Sequence, residues 1–299
     1  MRILSFGSLN IDYVYLVDHF VSKGETLSAK TLNVFIGGKG LNQSVALSRA
    51  GIVTYHAGAV GTDGQFLLDA LVEAGVNTDY VRTRADVRTG NAIIQNNADG
   101  DNCIILYGGA NQAIEREQID EVFEHFTGED YLLIQNEINN LPYIVDKAKL
   151  VGMKVILNPS PMDEKVLALP LHRIDYFILN EIEAFQILGE EHEDSFDGEQ
   201  LAERLRVRFP EATIVLTMGG KGSVCLTGTE CINQPIYQVQ VIDTTAAGDT
   251  FTGYFLGGLL SGETLTDSMN IASKAAAIAV SRAGAMPSIP HKEEVKVFA

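Results

Sequence analysis

Tyr176-Phe177-Ile178-Leu179 runs directly into Asn180-Glu181-Ile182-Glu183-Ala184-Phe185-Gln186-Ile187-Leu188. The first four residues form a short aromatic and aliphatic run, the pattern of a strand buried on both faces. Asn180 is a favoured helix N-cap, and Glu181 and Glu183 put carboxylates into the following turn, where they complement the helix dipole. A buried strand handing over to a helix is the repeating unit of a parallel sheet. The hand-over recurs along the chain. Ile3–Phe6, Val53–Val60, Tyr131–Gln135, Lys154–Leu157 and Thr213–Thr217 read as further strands. Asn42–Ala50, Gln65–Ala74, Arg116–Phe126, Leu141–Val151 and Gln200–Arg208 carry helical patterns between them. The expected fold is α/β, a central mostly parallel sheet with helices on both faces. Ligands bind such sheets beyond the carboxyl ends of the strands.

Two segments depart from this rhythm. Asn10–Val17 and Asn33–Ile36 flank a turn-rich stretch, and Ala92–Asn96 and Asn102–Tyr107 flank Asn97-Ala98-Asp99-Gly100-Asp101, a hairpin signal. Strands without intervening helices predict a separate small sheet. We expect one domain over residues 1–299, with a β lid formed by about 10–37 and 90–108. Near the C-terminus a strand-like run, Tyr237–Ile242, precedes two small-residue-rich helices, Phe251–Leu260 and Leu265–Arg282. The alanines of the second suit close helix packing. The acidic run Glu190–Asp194 reads as a solvated loop.

Composition narrows the function. The chain has 299 residues, with Lys+Arg 22 and Asp+Glu 39, a formal net charge of −17. Such a surface repels nucleic-acid backbones and anionic membranes. The longest apolar stretch, Ala275–Val280, falls far short of the roughly 18 residues a membrane span needs. Cys103, Cys225 and Cys231 are scattered and form no Cys-x-x-Cys pair. The amino-terminal residues lack the apolar core of a signal peptide. These features predict a soluble cytoplasmic protein, in which an anionic substrate would need a locally positive pocket. The six histidines show no metal-ligand spacing and read as surface or capping residues.

Two motifs carry chemistry. Gly37-Gly38-Lys39-Gly40-Leu41-Asn42-Gln43 precedes a helix, so its backbone N–H groups are free to meet a ligand oxygen, although an ordinary turn into a helix accounts for it equally. It is neither a Walker A loop nor a dinucleotide fingerprint. Asp243-Thr244-Thr245-Ala246-Ala247-Gly248-Asp249-Thr250-Phe251 also enters a helix. Small residues at 246–248 admit an anion to the first-turn N–H groups, as a transferring phosphoryl group requires. Asp249 stands where a carboxylate can accept a hydroxyl proton, or where it merely complements the helix dipole.

Together, in this order and about 200 residues apart, the two motifs resemble the two signatures of the ribokinase-like (PfkB) carbohydrate kinases. The resemblance spans the chain and is strongest to members acting on D-ribose. It implies transfer of the γ-phosphoryl of Mg-ATP to a primary hydroxyl of a pentose. Asp249 would be the general base, with an anion hole at Ala246, Ala247, Gly248 and Asp249. Sugar contacts would come from Asn10, Asp12, Gly38, Lys39, Asn42 and Glu137, with Ile94 and Leu106 over the ring and Gly37-Gly38 as the lid hinge. From the residues alone, Asn10 and Asp12 suit turns, Glu137 suits a helix cap or the surface, and Ile94 and Leu106 suit packing within the hairpin.

The resemblance also assigns the nucleotide side: Asn180 and Glu183 around phosphate and hydrated Mg²⁺, the loop Thr217, Gly219, Gly220, Lys221 and Gly222, Gly248, and Ser273 near the base. Asp243, Thr245, Ala279, Arg282, Gly284 and Ser288 match a monovalent-cation site, expected to take K⁺ largely through backbone carbonyls. The lid suggests a homodimer. Many family members carry Gly where this chain has Ala246, a departure also found among the ribose-specific branch. Other acceptors (deoxyribose, a hexose, a nucleoside) and a non-catalytic sugar-binding regulator are the alternatives.

Overall fold

The computed structural model describes residues 1–97, 101–193 and 195–298. Among them are thirteen strands. In chain order they are β1 (Ile3–Phe6), β2 (Asn10–Leu16), β3 (Thr31–Gly37), β4 (Thr54–Gly61), β5 (Asn77–Arg84), β6 (Gly90–Asn96), β7 (Asn102–Tyr107), β8 (Tyr131–Gln135), β9 (Lys154–Asn158), β10 (Tyr176–Asn180), β11 (Thr213–Thr217), β12 (Ser223–Leu226) and β13 (Cys231–Gln234). The helices are α1 (Lys39–Arg49), α2 (Gln65–Glu73), α3 (Arg116–Phe123), α4 (Leu141–Leu150), α5 (Glu164–Leu167), α6 (Glu181–Leu188), α7 (Gly198–Arg208), α8 (Ala247–Leu260), α9 (Leu265–Val280) and α10 (Lys292–Val297).

Nine strands form the main sheet in the order β13-β12-β11-β10-β9-β8-β1-β4-β5. Seven run parallel; β12 and β13 close one edge antiparallel. The chain leaves β1 toward β5 and returns to β8 on the other side of β1. That reversal opens a crevice beyond the carboxyl ends of β1 and β8, the place where such sheets bind ligands. The remaining strands form the second sheet, β3-β2-β6-β7. It is built from the connections that follow β1 and β5, so it stands at this same edge.

Alternating side chains divide the core into two layers. Leu4, Phe6, Ile134 and Phe177 pack on one face, and Ile3, Leu133, Ile156 and Ile178 on the other, beneath α1, α8 and α9. The second layer sets the site. A Cβ at Gly257 would stand 2.6 Å from the Ala50 Cβ, and one at Gly253 would overlap Ala46. Only glycine permits this approach of α8 to α1. One turn before Gly253 lies Asp249, and one turn before Ala46 lies Asn42, so the packing brings those side chains together.

Several expectations need correction. Tyr237–Ile242 is not a strand: it crosses near the end of α9, with Ile242 and Asp243 N–H both donating to Val280 O, and has no strand neighbour. Three strands, β5, β12 and β13, lie beyond those expected. α1 starts at Lys39 rather than Asn42, and α8 at Ala247 rather than Phe251. His56 is no surface residue. It is fully buried on β4, facing α1, with Nδ1 2.8 Å from Ser44 Oγ, and burial lowers its pKa to about 4. The other five histidines are exposed, and His291 caps α10. Glu190–Glu193 are exposed as expected, whereas Asp194 and the hairpin tip Ala98–Gly100 lie outside the described residues.

Candidate active site

The site starts at the mouth of the crevice. Gly38, with φ of 100°, turns the chain from β3 into α1. That helix has neither a side-chain cap of its own nor an acidic residue in its first turn. Distant residues supply the acceptors. Glu137 Oε2, just past β8, accepts the Lys39 N–H at 2.9 Å and the Ser8 hydroxyl. Ser8 accepts Gly40 N–H on Oγ at 3.2 Å and Leu41 N–H on its carbonyl at 3.0 Å. Glu137 is therefore a helix cap, from 98 residues away, as well as a carboxylate at the crevice.

The Lys39 side chain lies in the fields of three carboxylates. Burial alone would lower its pKa; Asp249, Glu137 and Glu183 outweigh burial and hold the ammonium above its ordinary value. Asn180 and Glu183 form a reciprocal capping box on α6, at 2.9 and 3.0 Å. Glu183 is buried, and burial raises its pKa against the lowering effect of the Asn180 N–H. The capping reading of these two residues thus holds, and both also line a polar cavity of about 190 Å³. Lys39, Asn158, Thr217, Ala246, Gly248 and Asp249 share that cavity.

Asp249 is 7% exposed. Its Oδ2 accepts from Asn42 Nδ2 at 3.1 Å and its Oδ1 from Gln43 Nε2 at 2.8 Å. Asn42 Oδ1 is buried and has no partner among the described residues. Around the start of α8, the Ala247 N–H donates to Thr244 O at 3.2 Å, while those of Gly248 and Asp249 have no partner among the described residues. A Cβ at Gly248 would meet nothing within 4 Å, so the space before these donors is open. Ala246 itself is left-handed, with φ of 59° and ψ of 12°. Glycine would adopt that conformation without strain.

Beside the polar cavity lies a larger, mainly apolar one of about 340 Å³. Thr217, Thr244 and Gly248 line both. Gly219, Gly220, Gly222, Ala247 and Ser273 are brought together there, as are Tyr237, Val239 and Val241 from the irregular segment. Ser273 Oγ donates to Pro235 O at 3.1 Å. Lys221 is not in the lining; its ammonium lies 4.5 Å from the centre of the Phe196 ring.

On the lid, register places Asn10 and Asp12 of β2, Ile94 of β6 and Leu106 of β7 on one face. Asn10 Oδ1 accepts from Asn111 Nδ2 at 2.7 Å. Burial, reinforced by the field of Glu137, raises the Asp12 pKa to about 7. Leu106 is 59% exposed and Ile94 partly buried. Asp243 joins two C-terminal loops: its carboxylate accepts Thr245 N–H at 2.9 Å, Thr245 Oγ at 2.6 Å and Gly284 N–H at 2.8 Å. Burial would raise this carboxyl, but the three donors hold its pKa below the ordinary value. Arg282 pairs with Glu294 at 2.5 Å, Ser288 Oγ donates to Ala285 O, and the Ala279 carbonyl accepts Arg282 N–H.

Sequence reasoning passed over three residues. Gln43 lies inside a motif quoted for its neighbours. Asn158 follows the predicted strand Lys154–Leu157 and ends β9, a position that itself points to a ligand edge. Asn111 carries no local signal, since its bonds reach back to Leu9 and Asn10.

The pattern of the pfkB family carbohydrate kinases matches residues 1–292, and the chain belongs to that family. Within it the chain is similar to ribokinases. That of Staphylococcus aureus (strain COL) is 34% identical over 304 residues, covering 98% of each chain. The solved ribokinase of Cryptococcus neoformans var. grubii serotype A, in complex with ADP, superposes with a TM-score of 0.85 at 34% identity, over 99% of this chain and 98% of that one. The Arabidopsis thaliana ribokinase complexed with ribose and ATP gives a TM-score of 0.86 at 30% identity, over 99% and 97%.

Proposed function

We propose that the protein is an ATP-dependent ribose kinase, converting D-ribose to D-ribose 5-phosphate, with Asp249 as the general base. One observation carries the reading. A large apolar cavity of nucleotide dimensions and a smaller polar cavity share Thr217, Thr244 and Gly248 as a common wall, and Asp249 stands on the polar side of it. ATP in the first would direct its γ-phosphoryl across the wall into the second, toward Lys39, Asn180 and Glu183; the sugar hydroxyl would approach Asp249 from the side of Asn42. Asp249 takes the hydroxyl proton. The unpartnered N–H groups of Gly248 and Asp249 face the charge that develops on the transferring group, and Ala246 and Ala247 shape the loop that presents them. Lys39 adds a positive charge beside the same wall.

The unpartnered Asn42 Oδ1, the Asp12 carboxyl and Glu137 supply acceptors for sugar hydroxyls, with Asn10 and Gly38 at the rim. Ile94 and Leu106 would cover the ring when the lid, about 10–37 and 90–108 within one domain of 1–299, closes and excludes water. On the nucleotide side, Gly219, Gly220, Gly222 and Ser273 would line the nucleoside, and Lys221 would reach the phosphates only by leaving Phe196.

The donors around the polar cavity are oxygens, which suit Mg²⁺. Among the described residues no group of three or more His, Cys, Asp or Glu residues could hold a metal. Asn180 and Glu183 would hold the ion through water, and it would neutralise phosphate charge. The Asp243 bridge brings the 243–245 and 284–288 loops together beside the start of α8. Asp243, Thr245, Ala279, Arg282, Gly284 and Ser288 would hold K⁺ there, through carbonyl oxygens for the most part, and so steady the anion hole.

The lid leaves Leu32, Val34, Ile93, Ile105 and Tyr107 largely exposed. These residues support a homodimer formed lid to lid. No helix of the described residues is long and apolar enough to cross a membrane. We place the enzyme in the cytoplasm, where its three free cysteines would stay reduced.

ADP release from Mg-ATP, measured in K⁺ buffer with and without D-ribose and beside deoxyribose, hexoses and nucleosides, tests the proposal. Strong ribose-dependent release is expected, and weaker release in Na⁺. Turnover with another acceptor alone would overturn the ribose assignment; silence with every acceptor would overturn the kinase.

A further inference from the structure

We propose that Gln43 is a positioning residue that ties Asp249 to the sheet, fixing Oδ1 so that Oδ2 is the oxygen that receives the proton. The inference rests on Asp249 being the general base. Gln43 is fully buried and both ends of its amide are engaged. Nε2 donates to Asp249 Oδ1 at 2.8 Å and to Asn158 Oδ1 at 3.0 Å. Oε1 accepts from Gln135 Nε2 at 2.7 Å. The opposite orientation of the amide would set its oxygen against two oxygens and its NH₂ against another NH₂, so the direction of donation is fixed.

The supports behind Gln43 are rigid. Gln135 ends β8 and is 1% exposed. Asn158 ends β9 and donates Nδ2 to Ile178 O of β10 at 2.8 Å. Three adjacent parallel strands thus hold one side chain, and that side chain holds the reacting carboxylate. Among charged groups, Lys39 and Glu183 act on Asp249 through their fields, but neither fixes its rotation. Among the described residues Asp249 Oδ2 accepts only from Asn42, at the longer distance of 3.1 Å. In the reaction, the sugar O–H bond breaks and its proton passes to Oδ2. The sugar oxygen bonds to the γ-phosphorus, and the bond to the β–γ bridging oxygen breaks, its electron pair leaving with ADP. A carboxylate free to rotate would present Oδ2 in this geometry for only part of the time.

The test is Gln43→Met, which keeps length and apolar packing but removes the amide, assayed as the full chain after its folding is checked by circular dichroism. Loss of a hydrogen bond to a charged group predicts a kcat about 10–100-fold lower. The KM for ribose should change by less than about threefold, since Gln43 touches no substrate. The acidic limb of the kcat–pH profile should move up, because a carboxylate that loses a donor is protonated more readily. Gln135→Leu, which removes only the support behind Gln43, should shift both readouts the same way by less, and it replaces Gln43→Met if that variant does not fold. Wild-type kcat with an unmoved acidic limb in a folded variant would overturn the proposal. Asp249→Asn separates the two claims: if it stays active the general-base reading fails, whereas an inactive Asp249→Asn beside a normal Gln43→Met sinks the positioning role alone.

Discussion

Asn42 Nδ2 donates to Asp249 Oδ2 at 3.1 Å across 207 residues of sequence. The bond joins the first turns of two helices whose glycine–alanine contact lets them approach closely. It also joins the two motifs, the one around Gly37–Gln43 and the one around Asp243–Phe251. The second oxygen of Asn42 has no partner among the described residues. The contact is thus both a structural link and the place where a hydroxyl and a base would meet.

Gly248→Ala should separate folding from catalysis. Position 248 lies in α8, where alanine is favoured over glycine by roughly 0.5–1 kcal/mol. The new methyl group would project into open space before the free N–H donors. The melting temperature should stay level or rise, while kcat falls by about 100-fold. Thermal denaturation and steady-state kinetics on one preparation check this. Near-normal turnover would show that no anion approaches those donors.

Ala246 is left-handed at the entry to α8. Ala246→Gly should leave the melting temperature within about 2 °C, because strain relief in the native state is offset by the greater freedom of glycine when unfolded. Ala246→Val places a β-branched residue at positive φ, a true outlier. It should lower the melting temperature and reduce kcat at least about tenfold by misplacing the donors that follow. Equal behaviour of the two variants would mean that the loop does not need this conformation for turnover.

Asp12 gives a signed pH dependence. Its pKa stands at about 7 in the folded chain against an ordinary 3.8. Between these values the folded protein binds the extra proton, so this residue makes stability fall as pH rises from about 4 to 7, and the cost is complete above 7. Asn mimics the protonated form and escapes it. The melting temperature of Asp12→Asn minus that of wild type should be larger at pH 8 than at pH 4.5, by about 2 °C or more. An unchanged difference would contradict the raised pKa. With Asp12 as the proposed acceptor of sugar hydroxyls, which would favour its ionised form, ribose binding should strengthen in the wild type over the same rise in pH.

The central strands were legible because burial on both faces demands unbroken apolar runs, as in Ile3–Phe6 and Tyr176–Leu179. Strand β5 was not. Asn77-Thr78-Asp79-Tyr80-Val81-Arg82-Thr83-Arg84 lies at a sheet edge, is half-buried, and has the composition of a loop. Tyr237–Ile242 misled in the opposite direction, because its apolar residues line a cavity rather than a sheet. The start of α1 was missed by three residues, since its cap comes from Ser8 and Glu137 rather than from a neighbour. Both motifs announced the site because each is contiguous. Asn111 and the Gln135–Gln43–Asn158 support are assembled by the fold from separate strands and loops, and no local pattern marks them.

Asp249→Asn tests the account most directly. It keeps the size of the side chain and its place at the start of α8, removes the charge and the ability to take a proton, and replaces one of the two oxygens that accept from Asn42 and Gln43 with an NH₂. Ribose-dependent ADP release should fall below about one-thousandth of the wild-type rate, while ribose and ATP still bind measurably. Turnover within tenfold of wild type would contradict the assignment of Asp249 as the base.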